Sequence, residues 1–81
     1  MTDWKETITA DPDVMMGKPV IAGTRLTVEF IVERLADGWT EDDLIRSYPG
    51  LTQEQIHACL AYAAEMLSEV QMYSLPLRRH A

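Results

Sequence analysis

Residues 39–56 read Trp39-Thr40-Glu41-Asp42-Asp43-Leu44-Ile45-Arg46-Ser47-Tyr48-Pro49-Gly50-Leu51-Thr52-Gln53-Glu54-Gln55-Ile56, and this stretch decides the fold. Thr40 is placed to cap a helix, and Glu41, Asp42 and Asp43 follow in the first turn, where the helix dipole favours anions. Leu44, Ile45 and Tyr48 form the inward face, and Pro49-Gly50 ends the helix. Thr52 and Gln55 have capping-box spacing, with Leu51 and Ile56 at the positions of a hydrophobic staple. Trp39 and Leu44 bear the same relation around Thr40. Helices are therefore predicted over about 41–48 and 53–70. The short connection between them allows only a direct change of direction, which is helix-turn-helix grammar.

Upstream, Val28, Ile31, Val32 and Leu35 recur at i, i+3, i+4 and i+7, one buried stripe of a helix over about 28–37 that Gly38 ends. Downstream, Ile56, Cys59, Leu60, Ala63, Leu67 and Val70 continue the stripe of the third and longest helix. Residues 1–27 carry strand and turn signals instead. Ile8-Thr9-Ala10 is stopped by Asp11-Pro12-Asp13, Pro19-Val20-Ile21 lies between Gly17-Lys18 and Gly23-Thr24, and Leu26-Thr27 extends briefly. Such short strands must pair with each other or across a dimer, so self-association is expected. The fold class is mainly α: a three-helix, homeodomain-like helix-turn-helix bundle preceded by a short β element. It forms one domain over 1–69, followed by a C-terminal tail over 70–81.

With 81 residues and a net charge of -6, the chain holds one domain and has little room for a deep private pocket. No apolar run approaches the roughly 18 residues of a membrane span, and no apolar segment of signal-peptide type follows the N-terminus. The lone Cys59 excludes an internal disulfide and fits a reducing compartment, so a cytoplasmic protein is expected. Charge is uneven. Residues 28–69 carry nine acids against Arg34 and Arg46, whereas Arg78 and Arg79 make the tail basic. The acidic middle repels nucleic acid.

In a DNA complex, the third helix would enter the major groove by its N-terminus, presenting Thr52, Gln53, Gln55 and His57, with Lys18 and Arg25 on phosphate. That helix holds no Lys or Arg, although phosphate contacts supply most nonspecific affinity. Catalytic signals are weak. Glu29 with Glu33 and Glu65 with Glu69 are i, i+4 pairs that read as solvated faces, and Cys59 falls on the apolar stripe. His57 and Cys59, two residues apart on a helix, point to different sides, and Gly17-Lys18-Pro19 is not a phosphate-binding loop. Neither an enzyme, a metal nor a cofactor is indicated. The tail residues Met72, Tyr73, Leu75, Leu77, Arg78 and Arg79 mix apolar anchors with guanidinium groups, a composition suited to a partner's groove.

The string Gly17-Lys18-Pro19-Val20-Ile21-Ala22-Gly23-Thr24-Arg25-Leu26-Thr27-Val28 is followed by Ile31, Leu35, Gly38, Tyr48-Pro49, Leu51-Thr52 and Ile56. Together these resemble the small prokaryotic proteins of the domain-of-unknown-function family DUF433, over roughly Ile8 to Ala64. The resemblance implies a homeodomain-like fold and, by likeness to VapB-type antitoxins, an antitoxin of a type II toxin-antitoxin pair. Such a protein inhibits a PIN-like ribonuclease toxin and binds its own operator DNA as a homodimer. A helix-turn-helix regulator without an obligate toxin is the alternative. The resemblance implies no catalytic residues. Within the signature, Gly17 and Gly23 are read as turn formers, Pro19 as a strand start, and Thr24 and Arg25 as ties between the β element and the bundle.

Overall fold

In the computed structural model, which describes residues 3–70, Val20 and Ile21 are buried where an N-terminal β ribbon meets a helical bundle. They form β2 (Val20–Ile21), antiparallel to β1 (Ile8–Thr9) with Ile8 opposite Ile21 and Thr9 opposite Val20. The chain then turns back so that Ile21 N–H donates to Leu26 C=O at 2.9 Å and Val20 bridges Thr27. The pairing that such short strands require is thus met within one chain. Thr24 closes the intervening turn itself, donating its hydroxyl to Ile21 C=O at 2.8 Å and accepting from Leu26 N–H at 3.0 Å. Its ties are therefore local to the ribbon. Arg25 is exposed and makes no side-chain hydrogen bond or ion pair among the described residues.

Between the strands, Met15, Met16 and Gly17 follow one another at φ 49°, 59° and 83°. Two methionines in the left-handed region cost about 1 kcal/mol each, because Cβ crowds the carbonyl oxygen. Met16 gains no burial in return, since it is 93% exposed.

Three helices follow: α1 (Val28–Ala36), α2 (Glu41–Ser47) and α3 (Gln53–Leu67). Thr27 joins ribbon to bundle. Its backbone bridges β2, and its buried hydroxyl accepts from Phe30 N–H at 2.9 Å, which caps α1. After Asp37, Gly38 takes φ 99° and sends the chain into α2, a conformation that costs a Cβ-bearing residue strain. Thr40 and Asp43 form a reciprocal capping box at 3.0 and 2.8 Å, and Thr52 and Gln55 form another at 3.2 and 2.9 Å. Ile21, Ile31, Leu44, Ile56 and Cys59 are fully buried, so every layer contributes to one core.

The stripe of α3 divides in two. Ile56 and Cys59 are buried, joined by Ala58, but Leu60, Leu67 and Val70 are exposed, and α3 ends three residues before the expected 70. Leu60, mid-helix and next to buried Cys59, is exposed by its angle around the helix. For Leu67 and Val70 the reason is length. At 1.5 Å per residue, α1 is about 13 Å long and α3 about 22 Å, so the last turns of α3 run past their cover.

Candidate functional site

The edge expected to read bases lies at the α2–α3 junction, where Glu41 is its centre. One carboxylate oxygen accepts from Gln53 Nε2 at 2.9 Å, and the other meets His57 Nε2 at 3.1 Å. Gln53 and His57 lie one helical turn apart on α3, so a single side chain from α2 clamps both. Thr52 and Gln55 are engaged with each other in the capping box. The structure therefore brings Thr52, Gln53, Gln55 and His57 together on one edge, and each already has a partner within the chain. Glu41, Asp42 and Asp43 in the first turn of α2 and Glu54 in that of α3 make both helix starts acidic. Asp43 is held below the usual carboxylate range, first by the Thr40 backbone N–H and then by the Thr40 hydroxyl and Arg46.

Lys18 sits elsewhere, bound to Glu29 of α1 at 3.0 Å. Arg25 lines a shallow hollow with Thr9, Asp11 and Val14 on the ribbon side. The cations expected on phosphate are thus placed on the ribbon rather than on α3. Cys59 is buried, and burial pushes its thiol up to about 11, which removes the thiolate a nucleophile needs. The tail candidates Met72, Tyr73, Leu75, Leu77, Arg78 and Arg79 lie outside the described residues.

A second surface has no counterpart in the sequence reading. Pro19, Val28 and Val32 on one side and Tyr62, Ala63, Met66 and Leu67 on the other line an open groove whose only charged lining residue among the described residues is Glu29. Trp4 packs on α3 beside it. The indole packs edge-on against Tyr62 with centroids 4.7 Å apart and donates to Glu65 Oε1 at 3.2 Å. Glu41 and Trp4 escape sequence reading because their partners stand far away in the chain, up to 61 residues for Trp4. The groove did leave a signal, since the apolar stripe of α3 is longer than α1 can cover.

Among the described residues, no helix is long and apolar enough to cross a membrane. The fold superposes with a TM-score of 0.73 on the crystal structure of a DUF433 member protein from Anabaena variabilis ATCC 29413. Identity is 30%, over 78% of this chain and 62% of that one. The chain is also 32% identical over 59 residues to "Uncharacterized protein y4eO" of Sinorhizobium fredii (strain NBRC 101917 / NGR234). That match covers 73% of this chain but 27% of the relative, so the chain spans about a quarter of the relative's length. The model of the family "Protein of unknown function (DUF433)" matches residues 8–63 and takes in the ribbon, the Glu41 clamp and the groove as far as Ala63. By that match, which covers well over half its length, the chain belongs to the DUF433 family.

Proposed function

We propose that this chain is an antitoxin, a non-catalytic cytoplasmic protein that silences a PIN-like ribonuclease by direct contact. The observation that carries a protein partner over DNA is the Glu41 clamp, in which both α3 side chains best suited to base edges are held by a carboxylate. DNA binding would have to break that clamp and bring phosphates beside Glu41, Asp42 and Glu54 with no Lys or Arg on α3 to offset them. A protein partner needs neither step. The open apolar groove and the apolar-basic composition of residues 72–79 both favour protein contact. A PIN-like site holds a divalent metal in carboxylates, and Arg78 or Arg79 would pair with such a cluster. Homodimer formation belongs to the same reading, and operator binding through this edge would require the clamp to open.

The test is purification of the tagged chain from its native host at moderate salt. The expected result is a stoichiometric partner that degrades RNA once separated and stops when the chain is added back. Inhibition should be lost from a chain ending at Leu67. A partner without nuclease activity, or none, overturns the antitoxin reading.

The α2–turn–α3 geometry favours one alternative, a DNA-binding regulator acting through the same edge. It requires affinity that falls steeply with salt and sequence preference that Gln53→Ala and His57→Ala remove. Gln55 is unsuited to this test, because its substitution breaks the cap of α3.

A further inference from the structure

We infer that the α1–α3 groove is the docking site for a helix of a partner protein, one with an apolar stripe flanked by Lys or Arg. The inference deepens the antitoxin reading, on which it rests, by naming the surface and the chemistry of what covers it. Three observations converge on one face. The apolar stripe of α3 continues through Ala63 and Leu67 beyond the part buried against the chain's own core, and Leu67 is 68% exposed. Met66 stands beside it, an unbranched side chain able to fit varied shapes. The lining from Val28 to Val32 and from Ala63 to Leu67 is about one helical turn on each side, the length over which a docked helix inserts a pair of side chains.

Charge selects the occupant. Glu29 lines the groove, and three more carboxylates stand near it in the chain: Glu33 one turn along α1, Glu65 next to Met66 with one oxygen accepting from Trp4, and Glu69 two residues past Leu67. Lys18 meets Glu29, and no other cation contacts these four carboxylates among the described residues. A second copy would bring the same carboxylates against them, and like charges across an interface oppose association. A cationic helix would meet an apolar floor in an acidic neighbourhood.

The test is titration of the isotope-labelled full chain with a synthetic helix of about twenty residues, leucines on one face and lysines on its flanks. Backbone resonances of Val28, Val32, Ala63 and Leu67 should move. The same helix with glutamates for lysines should bind at least about tenfold more weakly, as should the lysine helix to Leu67→Glu or Met66→Glu chains with unchanged circular dichroism. Equal affinity for the two helices, or shifts confined to Thr52–His57, overturns the inference. So does a free chain that sediments as a dimer which Leu67→Glu dissociates, since a second copy would then occupy the groove. A chain ending at Val70 that binds the lysine helix tenfold more tightly than the full chain overturns it as well, by assigning the groove to residues 71–81. A native nuclease that still binds Leu67→Glu refutes this surface and leaves the antitoxin reading intact. Recovery of no nuclease, with the helix titration as expected, refutes the antitoxin reading and leaves the surface.

Discussion

Cys59 shows what one buried position decides. With no exposure and a thiol raised to about 11, it is a small apolar filler on α3. Iodoacetamide at pH 8 should leave the folded chain unmodified and label it fully in denaturant, read as a mass increase; rapid labelling of the folded chain would contradict the burial. Asp43 acts at the surface and in the opposite direction. Its folded pKa lies below its unfolded one, so its contribution is complete above the ordinary carboxylate pKa and is lost as pH falls through the depressed value. Asp43→Asn should therefore flatten the acid limb of the stability profile, measured by thermal unfolding between pH 2 and 6. An unchanged limb would show that the Thr40 contact carries no linkage.

At the scale of elements, caps and core make separable contributions. Leu44→Ala removes a fully buried side chain of α2 and should cost about 2–5 kcal/mol in urea unfolding. Thr52→Ala should cost about 1 kcal/mol, since it removes only the α3 cap. If the two costs are alike, the core is not centred where Leu44 lies. The elements themselves were legible because their signals are local: Thr40 and Thr52 act within three residues, and the stripe of α1 repeats within two turns. Thr27 was only half legible, since its strand character shows in sequence but its capping of Phe30 depends on where α1 starts. The outer half of α3 misled for a related reason. Periodicity shows which residues share a face, whereas burial depends on the length of the neighbouring element, and α1 is too short to cover Leu67.

For the whole molecule, net charge and site geometry work together. A chain of net charge -6, with carboxylates around its helix-turn-helix edge, should show no measurable affinity for random duplex DNA at 150 mM salt by fluorescence anisotropy. Tight binding under those conditions would show that Lys18 and Arg25 outweigh the acidic edge. Here the candidate site was less legible than the fold. Thr52, Gln53, Gln55 and His57 were recognisable by type and do lie on one edge, but only the placement of Glu41 shows that they are already engaged.

Trp4 has one more consequence, for the order of folding. Its contacts with Tyr62 and Glu65 close about three quarters of the chain into a loop, with Glu65 standing 61 residues away, whereas the capping boxes and the α2–α3 turn close loops of a few residues. Loop-closure entropy rises with chain separation, so the helical hairpin should form before the indole reaches α3. In a Trp39→Phe chain, where Trp4 is the only indole left, refolding fluorescence should lag behind the recovery of helical circular dichroism. The N-terminal residues would then act as a late clasp, joining the ribbon to a bundle that has already assembled.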